Sequence, residues 1–185
     1  MDRLRKAAVI TRLIEQLRQR GSWCGETHVQ KATLFLQDLM DVPLEFEFIL
    51  YKHGPFSFDL RDELTSLQAD QLVKLEPKWP YGPRIATTAQ SKYIQGLYSK
   101  TLGRYEDRIS FVAERLGGRG VADLERLATA FYVTDQIDSH SSVDVRAAKL
   151  TALKPHVALD EALAAVREAD RITIDGERLL ARSAE

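Results

Sequence analysis

Apolar residues at Ala7, Ile10, Ile14 and Leu17, with Leu13 beside them, recur at the spacing of one helix face, and the pattern stops at Gly21. A first helix over Arg3 to Arg20 follows. After Gly21-Ser22-Trp23-Cys24-Gly25, the positions Val29, Ala32, Leu36, Leu39 and Met40 mark a second helix, which Asp41-Val42-Pro43 ends because proline cannot continue it. Glu45 to Tyr51 then alternates charged and aromatic residues, which predicts a strand with Phe46, Phe48 and Leu50 turned inward. His53-Gly54-Pro55-Phe56 reads as a turn, and Ser57 as the N-cap of a third helix with Leu60, Leu64 and Leu67 on its inner face. Leu72 to Leu75 and Ile85 to Thr87 are expected to pair antiparallel, with the Pro- and Gly-rich stretch Pro77 to Pro83 as the tip of a wing.

Beyond Thr88 the spacing is helical throughout, over Ala89 to Tyr98, Tyr105 to Leu116, Val121 to Val133, Val143 to Leu153 and Leu159 to Ala169. The fold class this implies is mainly α with a small β-hairpin wing. A winged-helix-like domain over residues 1–100 is followed by a helical module over 101–181 packed on it and a frayed tail at 182–185. No internal repeat or low-complexity segment interrupts this order.

A chain of 185 residues with 44% hydrophobic residues suffices for a real core. Its apolar runs are far shorter than the roughly 20 residues that span a bilayer. The charged start Asp2-Arg3-Leu4-Arg5-Lys6 lacks a secretory apolar region, so a cytoplasmic protein that does not enter membranes is expected. Cys24 is the single cysteine, which excludes an internal disulfide and thiolate-rich zinc motifs. Net charge is -1, and Met1 to Arg104 carries 15 Lys/Arg against 12 Asp/Glu while Tyr105 to Glu185 carries 11 against 15. That is not the strongly basic footprint of an isolated nucleic-acid-binding domain.

Candidate chemistry is sparse. Cys24 and His28 could share a helical turn, but zinc takes four ligands and no further Cys or His lies close in sequence. Asp135, Asp138, His140 and Asp144 cluster, yet they interleave with Ser139, Ser141 and Ser142 before a helix, where such residues cap free amides. Cys24 with His53 is the one thiol pair worth naming, and Glu45 with Glu47 fits an ordinary solvated strand face. No phosphate-binding glycine loop occurs. No catalytic, metal or cofactor site is therefore expected, and an enzyme is not.

The segment Phe46-Glu47-Phe48, the turn His53-Gly54-Pro55-Phe56-Ser57 and the leucines that follow resemble the YwgA-type prokaryotic family. Val29-Gln30-Lys31-Ala32-Thr33-Leu34-Phe35-Leu36 looks like that family's lysine-containing second helix, and Leu153-Lys154-Pro155-His156-Val157 like its Lys-Pro-His segment. More distantly, the Lys31 helix and the Gly-Pro turn are similar to the Panacea domain, found in antitoxins and other proteins that neutralise partners. The resemblance covers nearly the whole chain, and it implies a winged-helix-like fold without fixing a function. His53 stands where the family commonly has an aromatic residue, so no role is carried over to that side chain.

Fold alone does not choose between protein and DNA as partner. In a reading helix the exposed face of Phe58 to Ser66 would need donors, but it offers Asp59, Asp62 and Glu63 against Arg61. The expected function is a non-catalytic interaction or regulatory protein with antitoxin-like binding of another protein, its oligomeric state open. The candidate surface is Lys52, His53, Phe56, Lys78, Trp79, Tyr81 and Arg84. The alternative is a DNA-binding transcriptional regulator of the winged-helix type, with phosphate contacts from Lys74, Lys78, Arg84, Arg5, Arg12, Arg18 and Arg20. Duplex DNA is accordingly expected to bind weakly, with an affinity that falls steeply with salt and is lost in the Lys78→Glu, Arg84→Glu double variant. Titration across salt concentrations checks this, and nanomolar retention of one sequence over its scrambled counterpart would reverse the preference.

Overall fold

The computed structural model describes residues 1–137 and 140–183. Among them are eight α-helices and two separate two-stranded antiparallel sheets. In chain order they are α1 (Arg3–Gln19), α2 (Glu26–Leu34), β1 (Ile49–Tyr51), β2 (Gly54–Phe56), α3 (Phe58–Ala69), β3 (Val73–Lys78) and β4 (Tyr81–Thr87), then α4 (Ala89–Leu97), α5 (Ser99–Leu116), α6 (Val121–Tyr132), α7 (Val143–Leu153) and α8 (Leu159–Ser183). Two helices end in wider π-helical turns, α2 over Phe35–Leu39 and α6 over Val133–Ile137. The chain divides into two compact units, residues 1–48 with 57–119, and 49–56 with 120–185.

The first unit is built around α1. Asp2 caps it, its carboxylate accepting the Arg5 amide at 3.0 Å, and Ala7, Ala8, Val9, Ile10, Leu13, Ile14 and Leu17 are all buried. The inward arc is therefore wider than one stripe, and α2, α4, α5 and β4 all lie against this helix. Along α5 the polar seam is explicit: Arg12 Nη2 donates to Glu106 at 2.6 Å, and Gln16 Nε2 to the same carboxylate at 2.8 Å. At the far end the helices approach so closely that a Cβ on Gly117 would fall 2.7 Å from Arg20 Cβ. Residues 101–116, which the sequence pattern places in a second module, thus group with the first unit because α5 completes the cover of α1.

The hairpin of β3 and β4 has the expected antiparallel register, with Val73 opposite Thr87 and Leu75 opposite Ile85. It is longer than the sequence suggests. Both strands continue to Lys78 and Tyr81, so the tip is Trp79-Pro80 rather than the whole stretch from Pro77 to Pro83. A two-stranded ribbon consists only of edges, so prolines that lack a donor are tolerated within it, and the register breaks between Glu76 and Lys78, around Pro77.

Glu45 to Phe48 is not a strand. Its alternation is real, with Leu44 and Phe46 buried and Glu45 and Glu47 exposed, but its backbone partner is a side chain. Gln37 donates from Nε2 to the Phe46 carbonyl at 3.0 Å and accepts the Phe46 amide at 2.7 Å. Gln30 treats Ser57 identically, with both bonds at 2.9 Å. Two amides from one helix and its extension thereby hold the chain on either side of residues 47–56. Ser57 also caps α3 as expected, its hydroxyl accepting the Leu60 amide at 3.2 Å.

The second unit contains β1 and β2 with α6, α7 and α8. Gly54 to Phe56, read from sequence as a turn, is the strand β2, paired with β1 and packed on α6; the turn itself is Lys52-His53. Leu50 is only half-buried. Ser142 caps α7 with its hydroxyl 3.4 Å from the Val145 amide, whereas Asp138 and Ser139 of the same predicted capping loop lie outside the described residues. Arg146 is buried and donates to both oxygens of Asp170 at 2.6 and 2.8 Å, and to Thr134 Oγ1 at 2.9 Å. α8 runs well past Ala169, through Arg182 of the supposed tail, helped by i,i+3 pairs such as Arg171–Glu168 at 3.1 Å; residues 184–185 lie outside the described ones.

Replacing Gln30 by Leu removes a donor and an acceptor together; the buried Ser57 amide is stranded, while the Ser57 carbonyl still accepts the Arg61 amide at 3.2 Å. The expected loss is about 1–3 kcal/mol for the one stranded group, read as a lower urea midpoint. Gln30→Glu, which restores the acceptor for the Ser57 amide, should be less destabilising than Gln30→Leu.

Candidate functional site

The seven residues of the predicted interaction surface fall into two groups. Lys78, Trp79, Tyr81 and Arg84 sit on the β3–β4 hairpin of the first unit, and Lys52, His53 and Phe56 on the β1–β2 hairpin of the second.

On β3–β4 the tip is exposed and the base is braced. Trp79 is 93% exposed and Tyr81 69%. Below them Tyr81 meets Trp23 edge-on, with ring centroids 5.1 Å apart, and the Arg84 guanidinium lies 5.2 Å from the Trp23 ring while its Nε donates to the Trp23 carbonyl at 3.2 Å. Stacking of a guanidinium between ring and carbonyl fixes both partners. The Ile85 amide donates to the Cys24 carbonyl at 2.8 Å, which ties β4 to the segment joining α1 and α2. That segment contains the left-handed residue Cys24, φ 53°, whose amide is satisfied by Ser22 Oγ at 2.9 Å.

The cations expected to meet phosphate are largely engaged within the unit. Arg18 bonds Glu76 at 3.1 Å and the Ile85 carbonyl at 3.1 Å, Lys74 pairs with Glu76 at 3.3 Å, and Arg5 with Asp2 at 3.2 Å. Arg12 is held by Glu106 and Arg20 reaches Ser110 Oγ at 3.4 Å. Lys78 is the exposed cation beside the tryptophan. On α3, Asp59 and Asp62 are exposed, but Glu63, expected beside them, is half-buried and bound to Arg3 at 3.3 Å, so the outer face carries less free negative charge than its sequence suggests.

Cys24 is wholly buried, with Sγ 3.8 Å from the Ile14 carbonyl, and desolvation pushes its thiol up to about 12 against the opposing pull of Arg18 and Arg84. It is a protonated thiol at neutral pH. His28, also buried, places Nε2 3.1 Å from the Arg119 carbonyl, so that nitrogen carries the proton, and burial holds the ring below its ordinary pKa. His28 Nδ1 has no hydrogen-bond partner among the described residues. Nor do the described residues contain a group of three or more His, Cys, Asp or Glu side chains arranged to hold a metal. Cys24 and His53 fall in different units. Glu45 and Glu47 share no strand, and Glu45 instead binds Lys6 at 2.8 Å and the N-terminal amine at 3.1 Å, contacts that hold its carboxyl below the usual range. Lys31, flagged by sequence only as part of the second helix, is 1% exposed, its long side chain enclosed in the core.

On the β1–β2 hairpin, Phe56 packs against Tyr51 at 5.9 Å between centroids, and His53 Nδ1 lies 3.6 Å from Glu125 of α6. The residue that organises this corner is Lys154, which follows α7. Its ammonium donates to the carbonyls of Tyr51 at 2.9 Å and Lys52 at 2.6 Å. Lys52-His53 and Lys154-Pro155-His156 are thus joined.

Compared with known proteins, the chain matches no family model and no curated sequence. The described helices include none long and apolar enough to cross a membrane.

In the folded protein Cys24 keeps its proton above the ordinary thiol value of 9.0. Stability from this group is present below that pH and is lost as pH rises toward about 12. A disulfide reagent at pH 8 should leave the thiol unmodified in the native protein and titrate one equivalent in urea; rapid native labelling would contradict the burial.

Proposed function

We propose that the protein is a non-catalytic interaction module that captures another protein with the tip of its β3–β4 hairpin. The observation that supports this most is Trp79, 93% exposed at the end of a braced ribbon. An indole left in water is a large apolar surface available for burial, and tryptophan, tyrosine and arginine dominate the energetics of protein interfaces. Trp23, Tyr81 and Arg84 already fix the base of the hairpin, so little further ordering is needed on binding. With Lys78 beside it, the tip suits an apolar slot with an acidic border.

The order α1, α2, α3, β3, β4 supports a winged-helix-like reading of the first unit, with this hairpin as the wing. The resemblance to the YwgA-type family and, at greater distance, to the Panacea domain supports a regulatory, antitoxin-like role. The acidic outer face of α3 and the internal pairing of Arg5, Arg12 and Arg18 weigh against duplex DNA as the main partner.

A photo-crosslinking aromatic residue at position 79 should yield one discrete protein adduct that excess unmodified protein suppresses and the Trp79→Ala variant does not. Trp79→Ala should weaken that complex by about 2 kcal/mol or more, roughly thirtyfold. Adducts that no competitor suppresses, or crosslinks formed with duplex DNA alone, would defeat the proposal.

A further inference from the structure

A cavity of about 340 Å³ opens in the second unit where the Lys52-His53 turn, α6 and the segment leading into α8 meet. Leu150, Val157 and Thr129 form a buried floor, and the Thr129 hydroxyl is already engaged by the Glu125 carbonyl at 2.7 Å. Around it stand three basic side chains, Lys52, Arg126 and Lys154, against the carboxylates of Glu125 and Glu161, with His53 and His156 at the rim.

These charges are unequally matched. Glu161 is occupied by Arg126 at 3.3 Å and by the Ala158 amide at 3.3 Å. Glu125 faces His53, whose Nδ1 lies 3.6 Å from its carboxylate. Lys154 differs: both of its short hydrogen bonds go to neutral carbonyls, and the nearby charge of Glu125 favours its ammonium without offsetting its burial. An ammonium has three donors, so one remains. Burial disfavours its charged form, and an anion in the cavity would relieve that penalty.

We propose that this cavity binds a small phosphomonoester, its phosphate between Lys154, Lys52 and His156 and its organic part on the Leu150–Val157 floor. Separate point donors arranged around a space match the several oxygens of a phosphate better than the two in-plane oxygens of a carboxylate, which favour a guanidinium fork. The volume lies at the lower end of the roughly 300–1,000 Å³ typical of small-molecule sites, which leaves room for more than a phosphate group alone. Unlike the hairpin-tip reading this concerns the second unit, and either can fail without the other.

Calorimetric titration of the full chain with phenyl phosphate, inorganic phosphate and benzoate tests it. Phenyl phosphate is expected to bind one-to-one at millimolar or lower concentration, several-fold tighter than either comparison ligand. Lys52→Gln and His156→Gln, both at exposed positions, should each weaken it about fivefold or more, as loss of a charge-assisted hydrogen bond requires. Glu125→Gln should tighten it by removing a like charge. Absence of saturable phenyl phosphate binding, unchanged affinity in both exposed variants, or benzoate binding as tightly as phenyl phosphate would each overturn the proposal.

Discussion

Burial of α1 over most of its circumference is the constraint from which the first unit follows. A helix with Ala7, Ala8, Val9, Ile10, Leu13, Ile14 and Leu17 all out of solvent cannot be satisfied by one neighbour. Hence α2, α4, α5 and β4 each supply a side of its cover. The polar residues on α1 that remain must then find partners at the seams, as Arg12 and Gln16 do at Glu106 and Arg18 does at the hairpin. The β3–β4 hairpin is therefore anchored to the core helix through Arg18 and the Ile85 and Glu76 contacts, and its tip is left exposed for other use.

Local signals in the sequence were legible where a single element decides its own geometry. Helix faces, the span of α1, the Ser57 cap and the β3–β4 pairing all follow from spacing and turn chemistry within a short window. What escaped depends on distant residues. Nothing near Phe46 announces that Gln37 will replace a strand partner, so alternation alone suggested a ladder that does not form. The strand β2 hides behind Gly-Pro, a pair that ordinarily marks a turn, and is held as a strand by pairing with β1 and packing on α6. Past Ala169, α8 is rich in charged residues whose intrahelical pairs sustain it after the apolar rhythm has thinned.

Of the candidate site, the aromatic tip could be named from sequence because prolines and glycine around Trp79 and Tyr81 dictate exposure. Its bracing could not, since Trp23 lies on another connection altogether. The same holds for Lys154, whose bonds to Tyr51 and Lys52 span more than a hundred residues of chain. A lysine next to proline reads as solvated punctuation until tertiary structure gives its ammonium two carbonyls.

Gln30 and Gln37 stand seven residues apart along one helix and its extension, and each engages the N–H and C=O of a single residue, Ser57 and Phe46. The ten residues between those anchors form a closed loop whose ends are fixed whatever lies inside it. Closing a longer loop costs little, about 0.6 kcal/mol for each doubling of its length. The first unit should therefore accept a grafted peptide or a shortened bridge in place of this hairpin, which makes the glutamine-bounded segment a natural cassette for recombination.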